Sequence, residues 1–468
     1  MSEEDIEHVR ATLFDIGLGF RGMDDDQVIL DFITNLQQQR EHPTHSISEN
    51  TLLEDYPVLA ISNYAEFISN ADLDALKPYY EGLRREINDY LGAEINVMHI
   101  LTAGVHHDNS TRSLERRRNV LLYGPRALEK TMQELLGAGI NNFHHVHICD
   151  KRMECQLPKS LSTVNLEGFK NIANIDHFTT FDCDAPNTAQ DLYAFMTEKK
   201  INFLFLLGGE THWLNKQLTR VEFKDVLHKY KNEGHKLVLG GSGAGIINIG
   251  TSSFITAYKA YSEPGMPHDD LRDLCDDRGR AMEDACLGFV KPPEICNIHG
   301  VDFRIKYDTL GFSPFVYFPH YRDEGEASSD NKYIDGSMVR QRKFLDCIRL
   351  TDKMMAFTRN GKTSFIFSQP RVHNLVADPL FAAITAKPKA YGMARRIFMT
   401  WYHLELAENR DHALVAGDML AYLYSCASVP ESKRLDIRTT VGGAKSSSIF
   451  GMIIGLAIVF VCSINSWH

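Results

Sequence analysis

None of the nine cysteines sits in a Cys-x-x-Cys pair. That spacing excludes the common short redox and zinc motifs, and an odd count suits reduced thiols in a cytoplasmic setting better than a closed disulfide framework. Positive charge is in deficit as well. The net charge is −11, which argues against a nucleic-acid surface as the main function. The run Arg116-Arg117-Arg118 is too short to reverse that and reads as a solvated face. No internal repeat and no long low-complexity tract is present, so a solenoid is excluded. The start of the chain, Met1 to Glu7, is acidic and lacks an apolar core, so no secretory signal is expected. The sequon Asn109-Ser110-Thr111 is then expected to be unused.

What remains is ordinary for a globular protein: 44% hydrophobic and 24% charged residues. A length of 468 residues exceeds one average domain. One segment stands apart. Ile449 to Ile464 is an apolar run interrupted only by Gly, Cys and Ser, with Lys445 before it and Trp467 after it. It is slightly shorter than the roughly 17–25 residues of a spanning helix. Gly451 and Gly455 have the spacing that lets two such helices approach. The expectation is a hydrophobic tail over 446–468 that anchors a cytoplasmic protein to an intracellular membrane. A buried terminal helix is the alternative.

Residues 1–117 read as a helical N-terminal region. Apolar residues recur at helical spacing over 25–36 and again over 72–91. From 118 the pattern changes to alternating strands and helices, and an α/β domain is expected over 118–435. Strands are expected at 119–123, 143–148, 201–207 and 237–239, and helices at 126–136, 188–199 and 213–230. Apolar strands separated by helices imply a parallel sheet covered on both faces. The charge- and Pro-rich stretch 252–308 reads as an insertion. Leu310 to Asp323 reads as a strand whose end carries His320. Thr358 to Thr363 suits a hairpin turn, and 393–408 reads as a helix.

The stretch Lys236 to Gly250 organises the rest. It reads as a buried strand, a glycine-crowded turn over 240–245, and an apolar helix start. A tight strand-to-helix turn lifts a small side chain above the sheet and aims backbone N–H groups at whatever lies there. The reactive side chain in this turn is Ser242. A second glycine turn, Gly208-Gly209-Glu210-Thr211, follows another strand. In open parallel sheets ligands bind beyond the carboxyl ends of the strands, where both turns belong.

These motifs, in order, with Pro314-Phe-Val-Tyr-Phe-Pro-His320-Tyr after them, resemble the serine peptidases of the dipeptidase E and cyanophycinase group (peptidase family S51). The likeness covers roughly residues 118–325. It implies a flavodoxin-like fold akin to class I glutamine amidotransferases. It also implies hydrolysis of a small peptide or amide without a cofactor or metal. Under it, Ser242 is the nucleophile and His320 the base. Gly209 with Gly243 or Ala244 form the oxyanion hole, while Gly208, Thr211 and Gly241 shape the turns. Glu210 stands where relatives carry an amide residue and is a further catalytic candidate. His299 rivals His320. Glu263 and Asp269 lie where the family places its acid, but neither is matched.

There is a departure from the family's Gly-x-Ser-Ala-Gly elbow. Aligned on Ala244-Gly245, the nucleophile position falls on Gly243. One residue of slip turns a side chain to the opposite side of a strand. Two functions therefore stay open: a hydrolase acting through Ser242 and His320, or a non-catalytic relative that uses the inherited crevice, or the added segments, for binding or scaffolding at a membrane, alone or as a homo-oligomer. His144-His145-x-His147 and His106-His107 read as structural or surface histidines, because a third metal ligand is lacking.

Overall fold

The structure, a computed structural model of the chain, describes residues 56–69, 71, 73–92, 94–105, 126–137, 140–149, 178–209, 211–251, 295–298, 301–304, 309–321 and 347–376, with isolated positions between 418 and 437. The expected helices at 25–36 and 393–408, the strand at 119–123 and the apolar tail lie outside these residues, as do Glu210, Glu263, Asp269 and His299. Among the described residues no helix is long and apolar enough to cross a membrane.

The protein is α/β, with a mostly parallel, flavodoxin-like sheet and helices on both faces. In chain order the elements that frame the centre are β1 (Val58–Ile61), α1 (Tyr64–Ser69), α2 (Leu73–Leu91), β2 (Ile95–Ile100), α3 (126–136), β3 (Ile140–Cys149), β4 (Phe178–Asp182), α4 (Thr188–Glu198), β5 (Phe203–Leu206), α5 (Thr211–Arg220), α6 (Phe223–Asn232), β6 (Val238–Ser242) and α7 (Ala244–Ile249). Further on come β7 (Ile295–Ile298) and β8 (Val301–Arg304), an antiparallel pair, and β9 (Val316–Phe318) beside β10 (Cys347–Arg349), a parallel pair. The antiparallel hairpin β11 (Met354–Arg359) and β12 (Lys362–Phe367) and the helix α8 (Pro370–Val376) complete the set. The main sheet has eight strands in the order β12-β11-β1-β6-β5-β2-β3-β4. From β1 to β4 neighbouring strands run parallel, and only the β11–β12 edge is antiparallel.

The sheet is apolar throughout because both faces are buried. Phe203 and Phe205 of β5 point to one side, with Phe67, Leu83 and Met132 of α1, α2 and α3. Leu204 and Leu206 point to the other, with Leu192, Leu218, Leu227 and Ile246 of α4 to α7. Strand order reverses between β2 and β5, the type of position where crevices form in such sheets.

Three expectations change. The region 1–117 is not a separate helical layer in its described part: β1 and β2 are strands of the central sheet. Both are short, and β2 carries Asn96 and His99, so period-2 apolarity is weak there. The helix expected over 213–230 is two helices, separated at Glu222, which adopts the left-handed conformation with φ 50°. The turn expected over 240–245 shrinks to a single residue, since Gly240, Gly241 and Ser242 belong to β6 and Ala244 begins α7. The hairpin read at 358–363 is present, with Asn360 at φ 51° and Gly361 at φ 66° linking β11 to β12. Two consecutive positive φ angles match the twist of a two-residue hairpin.

Candidate functional site

The two glycines inside β6 are there for packing. A Cβ at Gly240 would lie 2.8 Å from the Phe205 ring, and one at Gly241 would lie 2.6 Å from the Ile246 amide. They let the aromatic rings of β5 on one face, and the backbone of α7 on the other, close onto the strand. Ser242 shares a face with Gly240 and Val238 by strand alternation. It is buried, and its hydroxyl donates to the carbonyl of Ser62 at 2.9 Å.

Gly243 alone makes the bend. Its φ of 51° and ψ of −117° lie in a region that L side chains rarely adopt, the geometry of a nucleophile elbow. A Cβ built at Gly243 would stand 3.5 Å from His320 Nε2, 3.4 Å from Gly208 Cα and 3.9 Å from the Ser62 carbonyl oxygen. The elbow therefore presents Gly243, and not Ser242, to the histidine. The Ser242 hydroxyl turns instead toward the carbonyl of Ser62, the residue that follows β1.

His320 reaches this point from a different part of the chain. Leu310 N donates to Asn248 O and Thr251 N donates to Phe315 O, so the segment 309–321 docks on the end of α7. Then β9 pairs with β10, and Tyr321 N donates to Leu350 O. His320 Nδ1 is 2.7 Å from Asp352 Oδ1. With Nδ1 carrying the proton toward the carboxylate, Nε2 faces the elbow, an assignment that follows from the hydrogen-bond network. Ser62 closes the arrangement: its Oγ donates to Asp352 Oδ1 at 2.6 Å and accepts from His320 N at 2.7 Å. His320 itself holds φ 55°.

Gly208 and Gly209 follow β5 directly beside the elbow. A Cβ at Gly208 would approach the Ser242 carbonyl oxygen to 3.0 Å. Gly209 has φ 145°. Neither backbone N–H donates to an acceptor among the described residues. Thr211 is buried at the start of α5, and its carbonyl accepts from Asn248 Nδ2 at 3.1 Å, which ties α5 to α7. Beside it, burial lowers His212 to a pKa of about 4. Ala244 provides a first-turn amide that no carbonyl of its own helix reaches.

The structure thus brings together Gly208, Gly209, Gly243, Ala244 and His320, and sets the Ser242 side chain apart from them. Asp352 and Ser62 escaped the sequence reading. Asp352 lies C-terminal to His320, whereas the acid was sought between the elbow and the histidine. Ser62 follows a strand that was not expected at all. No local pattern marks either residue.

The three histidines of β3 are buried, and His145 and His147 share a face. His145 Nε2 meets Glu129 Oε1 at 2.9 Å, and the Nδ1 atoms of His99 and His145 are 3.1 Å apart. Among the described residues no group of three or more His, Cys, Asp or Glu side chains is arranged to hold a metal ion.

The fold and the bend define the class: an α/β protein with a mostly parallel sheet and a strand–glycine–helix bend at Gly243. No family model matches the sequence, and no curated protein matches it. Among solved structures, a candidate peptidase E protein from Listeria monocytogenes EGD-e is similar at 13% identity and a TM-score of 0.34, over 67% of this chain and 98% of that one. A peptidase from an acI-B1 Actinobacterium is similar at 12% identity and a TM-score of 0.32, over 67% and 88%. At these values the likeness decides neither activity nor residue roles. The fold rests on the strand order, and the site on its own distances.

Proposed function

We propose that this chain binds a small peptide or amide in the crevice beyond β5 and β6, and does so without forming a serine acyl-enzyme. The observation that carries the reading is the elbow: Gly243 occupies the bend 3.5 Å from His320 Nε2, counted from an ideal Cβ, while the Ser242 hydroxyl is bonded to the Ser62 carbonyl. Covalent catalysis needs a nucleophile within hydrogen-bond reach of its base. A glycine supplies none. The His320–Asp352 pair favours the second reading, a working hydrolase, because that pair is the base and orienter of a hydroxyl nucleophile.

Fluorophosphonate labelling and cleavage of aspartyl dipeptides separate the two. The wild type is expected to give neither. Gly243→Ser, which restores an Oγ under His320, is expected to be labelled, and the label is expected to vanish when His320→Ala is added. Labelling of the wild type that disappears in Ser242→Ala would establish the hydrolase and end the binding reading.

A further inference from the structure

The space above Gly243 is bounded on one side by His320 and on another by Gly208. His320 Nε2 lies 3.5 Å from the ideal Cβ position, and Gly208 Cα lies 3.4 Å from it. The glycine amides at 208 and 209 offer N–H groups that no described acceptor takes. The Ser62 carbonyl oxygen, 3.9 Å from the ideal Cβ position, already receives the Ser242 hydroxyl at 2.9 Å and the Gly243 amide at 3.0 Å. A carbonyl oxygen has two lone pairs, so this one presents little free acceptor capacity to a ligand. The displaced serine thereby covers an oxygen that would otherwise repel an anion. The Asp352 carboxylate lies 2.7 Å from Nδ1 and would balance the charge of an imidazole that donates at both nitrogens to a bound anion.

We propose that the ligand group in this space is a carboxylate, carried by a small peptide or an amino-acid derivative. One of its oxygens takes the place of a serine Oγ and accepts from His320 Nε2–H, and the other faces the amides at 208 and 209. The space admits an oxygen because Gly243 has no side chain. A neutral carboxamide presents an NH2 group that competes for the same donors and is bound less well. This inference rests on the reading of the crevice as a non-acylating binding site.

Calorimetric titration with N-acetylalanine and with N-acetylalaninamide, equal in size and different in charge, tests it. The wild type is expected to bind the acid at least tenfold more tightly than the amide. Gly243→Ser places an Oγ where the carboxylate oxygen sits and is expected to lose that preference. His320→Gln, which removes the imidazole, is expected to lose it too, with circular dichroism and the urea midpoint showing whether the fold is kept. Equal affinities, a preference for the amide, no binding of either compound, or a preference untouched by both variants would each overturn the carboxylate assignment. If that happens while Gly243→Ser alone takes the fluorophosphonate label, the non-acylating reading stands without it. A wild type labelled at Ser242 removes the reading itself.

Discussion

Among the described residues Ser62 ties several parts of the site together. Its hydroxyl links Asp352 Oδ1 at 2.6 Å to the His320 amide at 2.7 Å, and its carbonyl receives both Ser242 and Gly243. His320 needs that brace, because a non-glycine residue at φ 55° carries a conformational cost of roughly 1–2 kcal/mol. Ser62→Ala removes the hydroxyl bonds and leaves the carbonyl in place. It is expected to destabilise the protein by about 1–3 kcal/mol, since one acceptor for a backbone amide and one donor to a carboxylate disappear together. Urea unfolding of variant and wild type measures this. A change of only a few tenths would mean that Ser62 does not brace His320.

At the scale of the element, β6, the Gly243 bend and α7 behave as one packed unit with two different kinds of glycine. Gly245 is there for space: a Cβ on it would meet the Leu206 carbonyl oxygen at 2.0 Å. Gly243 is there for conformation, with its nearest contacts at 3.4 and 3.5 Å and a positive φ. Gly243→Ala is expected to cost about 1–3 kcal/mol, the range for a side chain held in a sparsely populated region. Gly245→Ala forces α7 off β5 and is expected to cost more than that, up to loss of folding. Thermal melts of the two variants side by side give the comparison, and equal losses would refute the distinction. The glycines at 240 and 241 explain why the strand was read too short. Glycine is a weak strand former, and here the facing rings and helix backbone override that preference.

At the scale of the whole molecule, buried histidines couple stability to pH. His212 is held neutral by burial, down to a pKa of about 4, against an ordinary value of 6.5. His99 lies well below the ordinary value too, first through burial and then through the charge of His145. The unfolded chain takes up protons at these residues near pH 6.5, and the folded chain does so only at lower pH. Their stabilising contribution is therefore complete above about pH 6.5 and is lost as pH falls toward the folded values. For His212 the loss is about 3 kcal/mol by pH 4, from roughly 1.4 kcal/mol per pKa unit. The urea midpoint is expected to fall between pH 6.5 and 4, and His212→Gln is expected to make that fall smaller. An identical pH profile in the variant would remove His212 from the account.

The central parallel sheet was legible where apolar runs alternate with amphipathic helices, as in Phe203–Leu206 between α4 and α5. It was not legible at Val58–Ile61, which lies ahead of the long helical pattern over 72–91 and outside the stretch where strands and helices alternate in the sequence. The strand-to-helix bend was readable from the glycines of 240–245, because it is a local feature of consecutive residues. The direction of Ser242, the role of Ser62 and the pairing of Asp352 with His320 were decided by tertiary structure. The bond from Ser62 to Asp352 spans 290 residues, and the one from Ser62 to His320 spans 258. Local propensity and periodicity carry no information about such separations. The pairing of β1 with β6 and β11, and the docking of the segment that carries His320 on the end of α7, bring these groups within hydrogen-bond distance.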